Sequence, residues 1–393
     1  MNRTLREMIG SFEGGDGWLL GSVGLLLFTG VFVVYGAGSS DLSGGVTAFG
    51  RHFMVVKHLL MIGLGAVLLL GLSRVDYHVW RTPWFNRSAM AASFALVALT
   101  LVMGRQGADG QREINRWLSI GGFSLQPVEL AKLAMIMYLA ERLSSLRAIG
   151  RITGRTLLRT LGAGPLLLLV LLAAQPNYGN MLVVCLVTAL MVYITGIADR
   201  ALRWAALVSP VVVVLASLVI NKIGVRVGHV ITGLGGGSFG HQVDQSLISL
   251  GAGGARGLGI GQSHNKYAFL PEAHTDFIYS LLGEETGLVG SLGVIILLTV
   301  LVWRGLLIAQ RAPDAFGRLL AAGLTGGLAV YGLANLGMVL GLIPVIGVPL
   351  PFVSFGGTAM LAGLAAIGIL LSIDRRSRSS EVYRRRWERG GVA

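Results

Sequence analysis

Long apolar runs separated by short polar segments form the main pattern of the chain. Each run approaches the roughly 20 residues that an α-helix needs to cross a bilayer. The runs are Trp18–Tyr35, Val55–Leu72, Ala89–Met103, Gln126–Leu143, Leu157–Ala174, Met181–Ile197, Ala201–Ile220, Phe277–Leu307, Leu319–Leu342 and Phe352–Ile373. The pattern predicts an all-α integral membrane protein with about ten transmembrane helices.

Three segments fall outside this pattern. Met1–Asp16 is a polar N-terminal tail, and residues 374–393 form a basic C-terminal tail. The segment Asn221–Thr275 is rich in glycine and poor in apolar runs. Because loops of this length are usually functional, we expect it to serve the activity. We therefore predict one membrane domain over residues 1–393, with a single large loop outside the membrane at residues 221–275.

Composition agrees with a membrane protein. Hydrophobic residues make up 53% of the 393 residues and charged residues only 13%, and the mean hydropathy is +0.71. The formal net charge of +13 raises nucleic acid as a partner. The basic residues lie in short loops between apolar runs, however, where they indicate membrane orientation, so we expect no nucleic acid partner. The only cysteine, Cys185, lies in an apolar run and is expected to be a buried thiol.

The distribution of basic residues predicts that both termini are cytoplasmic, because cytoplasmic loops carry an excess of Lys and Arg. In that orientation every inner segment is basic, through Arg74, Arg81, Arg87, Arg142, Arg147, Arg151, Arg155, Arg200, Arg203, Arg304, Arg311, Arg318 and the arginines of the C-terminal tail. Outer segments carry Arg105, Arg112, Arg116, Lys222, Arg226, Arg256 and Lys266. Cations that break the rule indicate an anionic ligand at the outer face.

A cluster of titratable residues lies where the large loop enters the membrane. Its members are Glu272, His274, Asp276, Glu284 and Glu285, and the apolar run from Leu288 to Val302 follows directly. Such groups are costly next to hydrocarbon and usually have a function there. We interpret this stretch as the reactive centre.

Several motifs of the chain resemble those of one protein family. Leu270-Pro-Glu-Ala-His-Thr-Asp-Phe-Ile278 and Gly283-Glu-Glu-Thr-Gly287 look like the signature of the SEDS proteins (shape, elongation, division and sporulation). The blocks Asn115–Trp117, Gln126–Lys132, Gln175–Gly179 and Pro349–Thr358 agree in order. The Leu-Pro-Glu-Ala-His-Thr-Asp form and Gly261-Gln-Ser263 resemble the division members more than the elongation members. The chain departs from the usual pattern at Val128, where Ser is common, and at Asn177, where an acid is common.

The resemblance implies a peptidoglycan glycosyltransferase that polymerises lipid II at the outer face of the cytoplasmic membrane, at the division septum. It also implies a nascent lipid-linked glycan as donor, the 4-hydroxyl of a lipid II sugar as acceptor, a class B penicillin-binding protein as partner, and other membrane proteins of the division machinery. Two other classes stay open: a transporter that flips the lipid-linked precursor, and a non-catalytic scaffold of the division machinery.

Glycosyl transfer from a lipid pyrophosphate needs a carboxylate to accept the hydroxyl proton and cations to hold the leaving group. Asp276 is the best candidate for the base; the alternative is that Thr275 or Asp276 only caps the following helix. Glu272 and His274 either orient the base and contact sugar or shape the loop around Pro271.

Cations and small residues complete the predicted site. Arg116, Lys132 and Lys266 are candidates to bind pyrophosphate, and Trp117, next to Arg116, is a further candidate to bind substrate. The alternatives are a structural pair between Lys132 and Glu129, which lie three residues apart on one helix face, and an interfacial anchor formed by Arg116 with Trp117. One of Glu284 and Glu285 is expected to neutralise a buried cation. Ser354, Gly356 and Gly357 allow close helix approach or offer backbone donors. Asn335 is expected to form an interhelical hydrogen bond.

The sequence also contains residue types that bind metal ions near Asp276. His264, Glu272, His274 and Asp276 are suitable ligands for a divalent cation, but their spacing matches no dedicated metal motif. We expect no tightly bound cofactor, and Mg²⁺ or Mn²⁺ arriving with the pyrophosphate as the more plausible use of a metal.

Overall fold

The computed structural model describes residues 16–37, 48–103, 105–106, 112–113, 116–120, 123–150, 154–196, 221–263 and 274–390. The seventh predicted span, residues 201–220, lies outside this part of the chain. So do the predicted site residues Lys266 and Glu272, and His264 of the suggested metal ligands.

Helices make up nearly all of the described chain. In order they are α1 (Gly17–Ala37), α2 (Ala48–Arg74), α3 (Pro83–Val102), α4 (Pro127–Ala148), α5 (Gly154–Leu161), α6 (Leu167–Ala174), α7 (Tyr178–Ile194), α8 (Asn221–Leu234), α9 (His241–Gly253), α10 (Ile278–Arg311), α11 (Ala315–Val339) and α12 (Gly357–Gly390). A 3₁₀ turn, Tyr77–Arg81, joins α2 to α3. A π-helical turn around Pro165, which has no backbone N–H to donate, joins α5 and α6 into one span.

Seven of the described spans, counting α5 and α6 together, are long and apolar enough to cross a membrane, and α7 is a shorter apolar helix. Helix α4 has the required length, since its 22 residues rise about 33 Å, but it is more polar. It packs against α3, α7, α11 and α12, and Glu129, Lys132 and Glu141 are each only 6% exposed. Because α4 is surrounded by protein, its charges avoid lipid. The predicted all-α membrane fold is confirmed.

Helix α10 differs from the single continuous span predicted from Phe277 to Leu307. It is broken at Gly287, whose φ of 67° and ψ of −162° are not helical. The segment after α9 fills the break: the N–H groups of Leu258 and Gly259 donate to the carbonyls of Glu284 and Glu285, and the N–H of Leu288 donates to Gly254. The break therefore leaves these backbone groups paired, as buried polar groups must be. Ile278–Thr286 is a separate short helix that precedes the span.

The large loop is also more ordered than its composition suggests, because it contains α8 and α9. Helix α9 packs against α10 and contacts α11. Gly253 and Gly257 lie so close to α10 that a Cβ atom on either would come within 2.0–2.1 Å of its backbone carbonyls. The glycines that make this segment look like a loop are thus the contacts that allow it to pack on the bundle.

Three further details correct the sequence-based picture. The last helix begins at Gly357, not Phe352, because prolines at 349 and 351 oppose a helix and Phe352 has a left-handed φ of 64°. Two short antiparallel hairpins follow α3: β1 (Arg105–Gln106) with β2 (Arg112–Glu113), and β3 (Leu118–Ile120) with β4 (Phe123–Leu125).

Cys185 is exposed on α7, so the prediction of a buried thiol is wrong; an apolar run does not reveal which side faces lipid.

Candidate active site

The loop between α11 and α12, residues 340–356, holds the segment that carries Asp276. Three consecutive carbonyls of that segment accept hydrogen bonds. The N–H of Phe355 donates to His274 (3.0 Å), the hydroxyl of Ser354 to Thr275 (2.6 Å), and the side-chain amide of Asn335 to Asp276 (2.7 Å). The backbone around Asp276 is therefore fixed on one side by side chains and backbone from α11 and the 340–356 loop.

Asn335 and Ser354 each make a second bond to the 340–356 loop: Asn335 ties the loop to α11, and Ser354 ties the loop to itself. The amide of Asn335 also donates to the carbonyl of Val348 (2.7 Å), and the hydroxyl of Ser354 accepts from the N–H of Leu350 (2.8 Å). Both side chains are buried. The predicted interhelical hydrogen bond of Asn335 is wrong, because its amide donates to two carbonyls outside the helices, those of Asp276 and Val348.

The Asp276 side chain is partly exposed and lies against Gly347. A Cβ atom at Gly347 would be 3.1 Å from one Asp276 carboxylate oxygen, and the φ of Gly347 is +66°. The capping alternative is wrong, since the cap of α10 is Phe277 and the helix begins at Ile278. Asp276 therefore lies just before the helix, with its side chain partly exposed.

The rings of three residues pack in series behind this segment. His274 and His58 each lie 5.9 Å from the ring of Phe355, measured between centroids. His58 comes from α2 and is only 2% exposed. These contacts support the alternative in which His274 shapes the loop, and His58 is a supporting residue that the sequence did not reveal.

Arg116 and Arg226 bring positive charge to the same place. Arg116 donates to the carbonyls of Gln175 (3.4 Å) and Pro176 (2.8 Å), and Arg226 donates to the carbonyl of Val345 (2.9 Å). Partial burial and the charge of Arg226 lower the pKa of Arg116, whereas Asp276 acts in the opposite direction. Arg116 thus lies within electrostatic range of both Arg226 and Asp276. The segments that hold the two arginines also touch, since a Cβ atom at Gly179 would be 2.2 Å from the carbonyl oxygen of Ile346.

The predicted interfacial residue Trp117 is 41% exposed, which agrees with an anchoring role beside Arg116. Arg226 was noticed in the sequence only as one of several outer cations. Its helical neighbours gave no sign that it would reach the 340–356 loop, because that contact joins residues 119 positions apart.

Lys132 belongs to a second, buried cluster. Its ammonium group donates to Glu129 (2.7 Å) and Asn180 (2.6 Å) and lies 4.2 Å from the centre of the Tyr331 ring. The Tyr331 hydroxyl lies 2.7 Å from Glu129 and 3.1 Å from the Asn180 carbonyl oxygen. Asn180 in turn donates to Asn177 (3.1 Å). The structural pair considered in the sequence is present, with two uncharged partners added.

A largely apolar cavity of about 770 Å³, counting its open mouth, connects this buried cluster to the 340–356 loop. Its walls include Glu129, Lys132 and Tyr331 as well as Ser354 and Gly356. Gly357 does not line it; the glycine packs on Met61, where a Cβ would be 3.4 Å from the sulfur. Of the three small residues predicted, Gly356 lines the cavity, Ser354 both lines it and positions the loop, and Gly357 serves helix packing.

Glu284 and Glu285 lie in the short helix before the break in α10 and are 1–2% exposed. Glu284 accepts a hydrogen bond from the Ser263 hydroxyl (2.6 Å). The carboxylate of Glu285 lies against Gly36 of α1, where a Cβ would be 2.7 Å from it. These contacts tie α10 to α1 and to the segment after α9.

The metal hypothesis is only partly covered by the structure. Within the described ranges, no group of three or more His, Cys, Asp or Glu side chains is arranged to hold a metal ion. His264 and Glu272 fall outside those ranges. The metal expectation therefore stays a prediction.

Together these features define a multi-pass helical membrane protein with an acid and cation site at the end of the bundle that carries α8 and α9. The chain matches the FtsW/RodA/SpoVE family, described as cell cycle proteins, over residues 18–379. The protein belongs to this family, as the motifs predicted.

Relatives and solved structures agree with this membership. The chain is 35% identical to stage V sporulation protein E of Bacillus subtilis, over 90% of this chain and 95% of that protein. It is also 35% identical to a probable peptidoglycan glycosyltransferase FtsW of Geobacter metallireducens, over 92% of this chain and 95% of that protein. A chain in a peptidoglycan synthase complex that coordinates polymerization and crosslinking is similar in structure, with a TM-score of 0.73 and 27% identity, covering 92% of this chain and 98% of that one.

Proposed function

We propose that this protein polymerises lipid II into glycan strands at the outer face of the cytoplasmic membrane during septal cell-wall synthesis, with Asp276 as the general base. The observation that carries the proposal is the fixed position of Asp276. Its segment is held through three successive carbonyls of its own backbone, and Asp276 lies within electrostatic range of Arg116. The curated relatives named peptidoglycan glycosyltransferase support the same activity.

In the proposed reaction, the 4-hydroxyl of an incoming lipid II sugar attacks the anomeric carbon of a growing lipid-linked strand. The new glycosidic bond forms as the bond from that carbon to the pyrophosphate oxygen breaks. Asp276 takes the hydroxyl proton, and Arg116 holds the pyrophosphate as charge develops on it. A fixed carboxylate reduces the reorganisation needed at the moment of transfer.

Lys132 has a different role in this proposal from the one its sequence position suggested. Because it is neutralised by Glu129 and also bound by Asn180, we assign it to holding the wall of the cavity. Lys266 and Glu272 keep their predicted roles in binding pyrophosphate and substrate. A Mg²⁺ or Mn²⁺ ion that arrives with the pyrophosphate is compatible with the proposal, but no step depends on it.

The proposal includes partners and orientation. A class B penicillin-binding protein is the expected partner, because a related chain belongs to a complex for polymerization and crosslinking. Other membrane proteins of the division machinery are expected at the septum. Both termini are expected in the cytoplasm, following the positive-inside rule.

The decisive experiment compares Asp276→Asn with wild type in glycan formation from lipid II, using the full chain with its penicillin-binding partner. Asn keeps the shape of Asp but cannot accept the proton as a carboxylate does. We expect a reduction of about 10²–10⁴-fold with unchanged thermal stability. Asp244→Asn is the matched control, because Asp244 is a carboxylate in the same large loop that accepts bonds from Ser238 and Phe239.

Normal polymerisation by folded Asp276→Asn would overturn the assignment of the base. A precursor-flipping assay on the same variants tests the transporter alternative. If wild type moves lipid II across vesicles but forms no polymer with its partner present, the transporter is the better explanation. If wild type does neither while binding its partner, the scaffold is.

A further inference from the structure

Arg226 lies outside every role assigned so far, yet it reaches the centre of the candidate site. It belongs to α8, whereas Arg116 precedes β3, so two distant segments deliver the two guanidinium groups. Each is held by backbone carbonyls: Arg226 by Val345, and Arg116 by Gln175 and Pro176. Both cations are therefore anchored before any ligand binds.

The contact of Arg226 is made to the loop that positions Asp276. Val345 is two residues from Gly347, which lies against the Asp276 carboxylate, and three from Val348, which shares the amide of Asn335 with Asp276. The guanidinium of Arg226 therefore binds the same short stretch of backbone, residues 345–348, that packs beside the proposed base.

The three described side chains carry two positive charges and one negative charge. Partial burial, and then the charge of Arg226, lower the pKa of Arg116, whereas Asp276 raises it. Two guanidinium groups close to each other favour the binding of an anion that supplies counter-charge. A pyrophosphate diester, with two negative charges and several acceptor oxygens, matches two guanidinium groups, which offer planar pairs of donors.

We propose that Arg226 and Arg116 together form a two-guanidinium site for the pyrophosphate of the lipid-linked substrate. This inference rests on the proposed function, since it names the residues that bind the leaving group. It adds Arg226 to the substrate-binding residues and gives the large loop a direct part in substrate binding through α8.

The test measures binding, so that it does not depend on catalysis. Undecaprenyl pyrophosphate, which carries the pyrophosphate without sugar, is titrated into the full-length protein in lipid nanodiscs, beside undecaprenyl monophosphate and inorganic pyrophosphate. We expect Arg226→Gln to bind undecaprenyl pyrophosphate about 10- to 100-fold more weakly, as for loss of a hydrogen bond to a charged group. The preference for pyrophosphate over monophosphate should fall with it.

Arg256→Gln is the matched control, because Arg256 is an exposed arginine of the same large loop, in the segment that packs on α10. It should bind undecaprenyl pyrophosphate as wild type does. Inorganic pyrophosphate separates the contribution of the headgroup from that of the lipid. If Arg226→Gln weakens the binding of inorganic pyrophosphate as much as that of undecaprenyl pyrophosphate, the headgroup is recognised directly. If Arg226→Gln weakens the binding of neither ligand, the proposal fails.

Arg226→Lys keeps the charge and serves as the second variant if Arg226→Gln does not fold. It should bind undecaprenyl pyrophosphate several-fold more weakly, because Lys lacks the planar pair of donors. Folded variants that bind like wild type, or an equal loss in Arg256→Gln, would overturn the proposal. Wild type that binds pyrophosphate through Arg226 but forms no polymer would instead count against the proposed function alone.

Discussion

The cluster around Lys132 and the cluster around Asp276 both combine a carboxylate with positive charge. They differ in how the structure holds the carboxylate. Lys132 and Glu129 are 6% exposed, lie 2.7 Å apart, and share Asn180 and Tyr331 as further partners. At Asp276 the structure fixes the backbone, through Asn335, Ser354 and Phe355, and leaves the side chain partly exposed.

We interpret this difference as the distinction between a cluster that maintains the fold and the site where we propose the chemistry. Breaking a buried ion pair leaves an uncompensated charge in the interior. At Asp276, by contrast, hydrogen bonds to the backbone set the position of a partly exposed carboxylate. Two cations near a single carboxylate likewise favour the arrival of an anion.

The largest expected effect on stability comes from breaking the buried pair. Lys132→Met leaves Glu129 in the interior without its cation, which typically costs about 3–5 kcal/mol of unfolding free energy. Thermal unfolding in detergent would measure it. Asp276→Asn in the same assay should stay close to wild type, and a loss of equal size at Asp276 would remove the distinction between the clusters.

Restoring neutrality in the buried cluster sharpens this result. The double variant Glu129→Gln with Lys132→Met removes both charges, and we expect it to recover most of the stability lost by Lys132→Met. If the double variant is as unstable as the sum of both single variants, the pair does not act as a unit.

A smaller loss of stability is expected where the backbone of Asp276 is anchored. Asn335→Leu keeps the approximate size but removes a donor shared by two carbonyls, so it should cost about 1–3 kcal/mol and reduce polymerisation. Thr325→Val is the control on the same helix. Thr325 is fully buried, and its hydroxyl has no hydrogen-bond partner within the part of the chain that the structure describes. If the control lost as much activity, packing of α11 rather than the Asp276 contact would explain the result.

The smallest effect on stability is expected at Gly347. Gly347→Ala places a methyl group 3.1 Å from the Asp276 carboxylate at a φ of +66°, whereas Gly150→Ala meets no atom within 4 Å at a φ of +64°. Both should cost roughly 1–2 kcal/mol through backbone strain. Only Gly347→Ala should also slow polymerisation, because it displaces the carboxylate. Equal activity of the two variants would show that the position of Asp276 tolerates this displacement.

Much of the fold was predictable from the sequence because length and hydropathy alone decide whether a segment can cross a bilayer. All nine predicted spans that fall within the described ranges are helical. The break at Gly287 was not predictable in this way, since Leu288 and its neighbours continue the apolar run without interruption. The break depends on the backbone of residues 254–259, which supplies hydrogen-bond partners from about 30 positions earlier in the chain.

The candidate site shows the same division. Asp276 was identified from the sequence because titratable residues are rare where a chain enters a membrane, and Lys132 because it lies three residues after Glu129 on one helix face. The contacts of Arg226 with Val345 and of Asn335 with the Asp276 backbone had no local signal, since they join residues 119 and 59 positions apart.

By itself, then, the sequence determined the membrane class, the approximate limits of the spans that the structure describes, the family and the position of the acidic residue, because each of these depends on composition or on a short motif. Only the tertiary structure decided that Arg116 lies near Asp276, that Lys132 belongs to a neutral buried cluster, and that α11 and the 340–356 loop hold the segment that carries Asp276. The physical reason is that hydrogen bonds and ion pairs act over a few ångströms, and the partners that satisfy them are brought that close only by the packing of helices distant in the chain.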